Sequence, residues 1–232
     1  MKKMKLNLQF FGGRGAGLPT AHPSGSGGGS GAEWTTTPNV NSPQTLRQAL
    51  GTRGRAMSME KAASGANPYY DGSYREFSEN CQRAVVAYEA RRRGYNVTAQ
   101  PTYKGDTLPQ ANIAGKGQDR WQGAFKGAKA ENVGARNATK AQQNVENKMK
   151  EYGNGSRAVL SVEWKKGNAG HVLNVERKNG KTHYVDAQIG KKYNPKELFN
   201  TVKPSSVKIV RTDNLKLSDR AKKSVEQAGS RS

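Results

Sequence analysis

Apolar residues recur at helical spacing most clearly between Asn80 and Gly94, a stretch that reads NCQRAVVAYEARRRG. Its alanine, valine and tyrosine side chains form a stripe that predicts an amphipathic helix. The three arginines in the last turn complement the negative end of the helix dipole, and Gly94 supplies a C-terminal stop. The only cysteine of the chain, Cys81, stands at the predicted start of this helix.

Alternating apolar and polar residues predict an antiparallel sheet in the second half of the chain. The predicted strands cover 95–101, 158–164, 171–177, 182–187 and 207–211. Asn179-Gly180 is a strong hairpin signal between the third and fourth of them. Helical patterns are weak from Ser42, as N-cap, to Leu50, and clearer over 137–152 and 195–202. This order of elements predicts an α+β fold.

Shifts in composition predict four segments. They are a flexible Gly/Ser/Pro-rich tail with a docking segment (LNLQFF) over 1–45, a linker with a weak helix over 46–66, a folded domain over 67–213, and a charged tail over 214–232. A hydrophobic fraction of 33% agrees with a folded centre between disordered N- and C-terminal extensions.

The net charge of +21 predicts attraction to polyanions. No RRM, zinc-finger or basic-zipper pattern accompanies the charge, so it favours non-specific DNA contact over sequence readout. A single cysteine excludes an internal disulfide framework and a CxxC metal site, and neither a metal nor a cofactor is expected. No apolar run is long enough to cross a membrane, and the start, MKKMKLNLQFF, is too short and too interrupted for a signal peptide.

Cys81 and two residues of the predicted hairpin suggest nucleophilic chemistry. A cysteine at a helix N-terminus is favoured as a thiolate, because free N–H groups surround it. A tight turn at Asn179-Gly180 places His171 opposite residue 188 and beside Asp186, so that a carboxylate could orient the imidazole that takes the thiol proton. The Cys81 N–H, Gln188 and Asn80 are candidate oxyanion donors.

Each of these residues also has an ordinary structural interpretation. Cys81 could be a small buried hydrophobe, His171 a strand histidine, and Asp186 a turn residue. A lone cysteine and a histidine form a weak signature, because such pairs occur by chance. A ribonuclease that uses His171 and lysines is a further alternative, based on charge alone.

Three motifs carry a family resemblance. Asn80-Cys81 with the helix ending ARRRGY, then GHVLNVE, then YVDAQIG, resembles the papain-fold toxin domain of the toxin-peptidase-like deamidase group, over residues 67–213. The resemblance implies a papain-like fold whose N-terminal helix carries the cysteine and packs on an antiparallel sheet. It also implies Cys81 as nucleophile, His171 as general base and Asp186 as orienting acid, with Gln188 in the family's DxQ element.

The sequence departs from papain-like proteases in one respect. Those enzymes place an oxyanion glutamine shortly before the cysteine, and no glutamine occurs between Met57 and Asn80. This difference places protease activity in doubt more than deamidase activity.

The amino terminus carries a second resemblance. MKLNLQFFGGRGAG is similar to the start of small structural proteins in phages of Gram-positive bacteria, where such toxin domains occur on or beside minor head proteins. This implies a virion-associated protein with capsid or portal proteins as partners.

Together these features predict a cysteine-dependent amidohydrolase, either a glutamine deamidase or a papain-like peptidase. It would act on a host protein as a phage or prophage effector, in the virion, the bacterial host cytoplasm or both, with no membrane contact. The alternative is a non-catalytic minor head protein that contacts capsid or DNA.

Overall fold

The structure, a computed structural model, describes residues 43–71, 75–102, 120–166 and 169–230. The predicted N-terminal docking segment lies outside these ranges. The helices are α1 (Leu46–Leu50), α2 (Met59–Ala66), α3 (Arg75–Ser78), α4 (Cys81–Arg92), α5 (Ala138–Tyr152) and α6 (Pro195–Thr201). The strands are β1 (Val97–Ala99), β2 (Glu131–Asn132), β3 (Arg157–Glu163), β4 (Gly170–Lys178), β5 (Lys181–Asp186), β6 (Lys191–Tyr193), β7 (Lys208–Arg211) and β8 (Val225–Gln227). Short 3-10 turns occupy Trp121–Ala124, Pro204–Ser206 and Asp219–Lys223.

The strands form a six-stranded sheet in the order β2-β7-β3-β4-β5-β6 and a two-stranded sheet of β1 and β8. All of these pairings are antiparallel. The mixture of helices and antiparallel strands confirms the predicted α+β class and is consistent with a papain-like fold. The predicted hairpin is also confirmed: Lys178 pairs with Lys181, and Asn179 and Gly180 have positive φ angles of 51° and 74°.

The six-stranded sheet separates two cores, because successive side chains of a strand point to opposite faces. Val159, Val172 and Val185 pack with α4 and α2 in one core. The other core lies between the sheet and α5 and α6, and its strand residues include Leu160, Leu173, Val175, Tyr184 and Ile209. The sheet face that carries Val159, Val172 and Val185 therefore holds α4, the helix that begins at Cys81.

Helix α4 differs from the predicted amphipathic helix, because eleven of its twelve residues are buried. The arginines predicted to complement the helix dipole also pair with buried carboxylates: Arg92 pairs with Glu176, and Arg93, the C-cap residue, pairs with Glu89. The predicted stop is confirmed, since Gly94 has a φ of +99° and follows the C-cap residue Arg93. The helix is therefore held in place along its whole length.

The folded part extends further on both sides than the sequence predicts. Residues 46–66, predicted as a linker, contain α1 and α2, whose alanines are small enough to pack closely into the core. The first helix begins after Thr45, which forms a capping box with Gln48, rather than after Ser42. On the other side, the predicted charged tail contributes β8 and buries Ala221 and Val225. None of the helices in the described ranges is both long and apolar enough to cross a membrane.

Candidate active site

The three residues predicted as a triad come together at one edge of the large sheet. Cys81 is the first residue of α4, His171 is the second residue of β4, and Asp186 is the last residue of β5. The antiparallel hairpin brings the start of β4 and the end of β5 to the same edge, and the N-terminus of α4 reaches that edge. Cys81, His171 and Asp186 are 6%, 7% and 2% exposed, so the chemistry would take place in a nearly dry site.

Asp186 binds three donors at once. His171 Nε2 lies 2.9 Å from Asp186 Oδ2, and the Tyr193 hydroxyl donates to the same oxygen at 2.8 Å. The backbone N–H of Gln188 donates to Oδ1 at 3.0 Å. Because Asp186 occupies Nε2, the other ring nitrogen of His171 is the one left for the hydrogen bond with the Cys81 side chain.

The charges in this site stabilise one another. Burial alone would lower the pKa of His171, but the Asp186 carboxylate and a hydrogen bond to Cys81 outweigh it and raise that pKa to about 10. Burial would raise the pKa of Asp186, but the charge and hydrogen bond of His171, with the donors from Tyr193 and Gln188, hold it below its usual range. At neutral pH the pair is therefore imidazolium and carboxylate.

A cluster of buried amides lies beside Cys81. Asn80 Nδ2 donates to Asn67 Oδ1 at 2.9 Å and to the Gln100 carbonyl at 3.3 Å. Asn67 Nδ2 donates in turn to the Gln188 carbonyl at 2.9 Å, and Gln188 Nε2 lies 3.4 Å from Asn80 Oδ1. Because both amide hydrogens of Asn80 are used, the geometry favours a supporting role for it. Gln188 and the N–H of Cys81 stay the predicted oxyanion donors.

The second histidine of the hairpin does not reach this site. His183 pairs with Glu176 in the middle of the β4–β5 ladder, away from the edge where His171 lies. The alternative of a ribonuclease that uses His171 and lysines therefore gains no second catalytic histidine from this arrangement. In the part of the chain that the structure describes, no group of three or more His, Cys, Asp or Glu side chains could hold a metal ion.

Residues 79–191 match the family described as papain fold toxin 1, glutamine deamidase. The matched segment is just under half of the 232-residue chain, and it contains Cys81, His171, Asp186 and Gln188. No curated protein and no solved structure gives a significant match. The match supports a cysteine-dependent deamidase or toxin domain, in agreement with the resemblance in the sequence. It does not address a phage origin.

The high pKa of His171 gives the folded protein a pH-dependent stability. Because the folded pKa of about 10 exceeds the ordinary value of 6.5, protonated His171 stabilises the native state fully below about pH 6.5. That contribution disappears as the pH rises through about 10. We expect the difference in free energy of unfolding between wild type and His171→Gln, measured with urea, to shrink across this window. A constant difference would show that His171 is not charged in the folded protein.

Trp164 covers one face of the His171 ring. The two rings stack with their centroids 5.5 Å apart and their planes at 21°. Trp164 follows β3 directly and is held by a bridge to Val202. The strand pattern predicted its position but gave no sign that its indole packs on the histidine.

Tyr193 is a second site residue that the sequence analysis missed. It lies on β6, directly opposite Tyr184 and two residues beyond the family match. Strand β6 has three residues, two of them lysines, so no alternation marks it. Tyr193 does not contact the proposed nucleophile through a hydrogen bond, but it fixes the carboxylate that orients His171, which makes it a positioning residue.

Replacing Tyr193 with phenylalanine is expected to lower kcat about tenfold, as for other groups that orient a catalytic side chain. Loss of the hydroxyl donor raises the pKa of Asp186, so the acidic limb of the kcat–pH profile should move to higher pH. Tyr184→Phe is the matched control, because its buried hydroxyl has no hydrogen-bond partner among the described residues. Equal profiles for the two variants would contradict a role for Tyr193.

Proposed function

We propose that this protein is a cysteine-dependent glutamine deamidase that acts on a protein substrate. The observation that carries the proposal is the contact among Cys81, His171 and Asp186 at the start of α4, inside the segment that matches the glutamine deamidase family. The high pKa of His171 adds support, since an imidazolium beside a thiol stabilises the thiolate.

The first half of the reaction forms a thioester. Cys81 Sγ attacks the side-chain carbonyl carbon of glutamine, and the oxygen gains negative charge, for which the Cys81 N–H and Gln188 are the proposed donors. His171 then donates its proton to the nitrogen, the carbon–nitrogen bond breaks and ammonia leaves.

The second half restores the enzyme. Neutral His171 takes a proton from water, and the hydroxide formed attacks the thioester carbon. The carbon–sulfur bond breaks, which releases glutamate and returns Cys81 and His171 to the thiolate and the imidazolium. Asp186 stays ionised throughout and holds the ring in position.

Two features favour a deamidase over a peptidase, although both would use the same triad. The matching family is described as a glutamine deamidase. The chain also has no glutamine between Met57 and Asn80, where papain-like proteases place an oxyanion donor.

We also propose the setting in which this activity is used. The protein acts as a toxin or effector of a phage or prophage, on a host protein in the bacterial cytoplasm. It travels in the virion next to capsid or portal proteins and DNA. The amino-terminal resemblance to phage structural proteins and the net charge of +21 support this setting.

Product analysis tests the activity. The purified protein is incubated with a library of glutamine-containing peptides, and mass spectrometry scores conversion of glutamine to glutamate, with ammonia release as a second signal. New peptide termini without conversion would indicate a peptidase instead. If neither product forms, the non-catalytic alternative gains weight. Co-sedimentation of the protein with phage heads or DNA over a salt series then tests that alternative.

A further inference from the structure

Three exposed lysines lie around the candidate triad, and we call them the lysine rim. Lys165 and Lys166 directly follow Trp164, whose indole stacks on His171. Lys191 is the residue directly opposite Asp186 in the β5–β6 ladder. Side chains of directly opposed residues leave the sheet on the same face, with Cβ atoms about 5 Å apart. Lys191 and Asp186 therefore project on the same side of this sheet edge.

The charges of the rim are not neutralised within the described ranges. The neighbouring Glu163 is bound by Lys203 at 3.2 Å. On the other side Glu60 is bound by Lys192 at 2.7 Å. No carboxylate of the described residues forms an ion pair with Lys165, Lys166 or Lys191.

The acidic residues before α4 do not offset this charge. Asp71 and Glu79 each make an interaction of their own. Asp186, the remaining acid of the site, is committed to His171, Tyr193 and Gln188. Among the described residues, these three acids thus have partners of their own, and the rim lysines are exposed cations without an ion pair.

We propose that the lysine rim selects an acidic segment of the substrate protein, with glutamate or aspartate residues on either side of the target glutamine. This inference rests on the proposed deamidase function and adds the class of substrate. A glutamine side chain is long and neutral enough to enter the buried site, while its charged neighbours stay outside. Unpaired lysines at the entrance attract such a segment and raise the rate of productive encounter.

The arrangement favours a polypeptide over a nucleic acid as the occupant. The three lysines border a centre whose chemistry acts on an amide, which a nucleic acid backbone does not contain. The experiment can distinguish a nucleic acid from a polypeptide, because a nucleic acid would bind the same lysines without being deamidated.

The test compares two glutamine peptides of equal length, one with acidic and one with neutral residues around the glutamine. Two quantities are measured: kcat/KM for deamidation, and affinity for the Cys81→Ser protein by fluorescence anisotropy at low and high salt. Two rim variants are made. One is the double variant Lys165→Glu with Lys166→Glu, and the other is the single variant Lys191→Glu. The matched control for the double variant is Lys178→Glu with Lys181→Glu, and the control for Lys191→Glu is Lys181→Glu alone; each makes an equal charge change at the hairpin turn, which is the other end of β4 and β5.

In the wild type we expect the acidic peptide to be preferred, and the preference to fall at high salt. The ratio of kcat/KM between the acidic and neutral peptides should drop about tenfold in the rim variants and hold in the controls. A ratio that the rim variants leave unchanged overturns the proposal. Tighter binding of a short DNA duplex through the same lysines also overturns it. Binding of the acidic peptide that depends on the rim, without any deamidation, would overturn the proposed deamidase function. It would still support the lysine rim as a site that binds acidic segments.

Discussion

A Cys81→Ser variant is expected to lose at least about 10³-fold in kcat while keeping its fold, as when the nucleophile of other triads is removed. Serine fills nearly the same buried space, but its hydroxyl is a far weaker nucleophile than a thiolate next to an imidazolium. The thioester would then form too slowly to support turnover. The measurement is steady-state ammonia release, with thermal unfolding recorded to show that the fold persists.

Chemical modification provides an independent check on Cys81. The chain contains one cysteine, so every alkylation by iodoacetamide reports on this position. Alkylation should inactivate the protein in proportion to the fraction modified, and His171→Ala should slow alkylation at neutral pH because the imidazolium is lost. Activity of Cys81→Ser within tenfold of the wild type would rule out the nucleophile proposed here.

Glu89→Gln is expected to destabilise the protein by about 3–5 kcal/mol, the usual cost of removing one partner from a buried ion pair. Glu89 is fully buried on α4. Its carboxylate accepts from Arg157 Nε at 2.9 Å and lies 2.9 Å from Arg93 Nη2. Without the negative charge, two guanidinium groups that are about 15% exposed face each other with no carboxylate between them. Chemical denaturation with urea measures the loss.

Glu60→Gln is the matched control for that experiment. Glu60 also binds a cation, Lys192 at 2.7 Å, but both side chains are well exposed, at 60% and 42%. A surface pair of this kind contributes less than about 1 kcal/mol, so the control should unfold close to the wild type. Equal losses for the two variants would show that the buried network does not determine the stability of α4.

The sheet could be predicted from the sequence because the residue patterns that specify its strands and its hairpin turn are local. Strands β3, β4 and β5 alternate strongly, and Asn179-Gly180 fixes the turn, so the register that brings His171 to Asp186 follows from a few neighbouring residues. The start of α4 at Cys81 was equally local. That Cys81 meets this edge came from the family resemblance, since no local rule joins residues so far apart. The catalytic roles of the three residues stay predictions.

The parts that could not be predicted depend on distant partners or on very short elements. The buried charges of α4 are bound by Glu176 and Arg157, which are more than 60 residues away. From the sequence alone, the arginines indicated only charges that complement the helix dipole. Helix α2 (MEKAASGA) has the small residues of a linker, and only its packing against α4 shows why they suit a core. Strand β6, which supplies Tyr193, is too short for any periodicity.

The pairing of β1 with β8 has a consequence for the timing of synthesis. Arg83 on α4 reaches the Lys223 carbonyl, and the side chain of Gln100 donates to the carbonyls of Lys222 and Val225. A nascent chain therefore cannot complete the surroundings of the Cys81 helix until the residues of β8 have left the ribosome. Polypeptides released early, before residue 222, would lack these contacts. Only chains translated past that point can therefore hold the Cys81 helix in its complete surroundings.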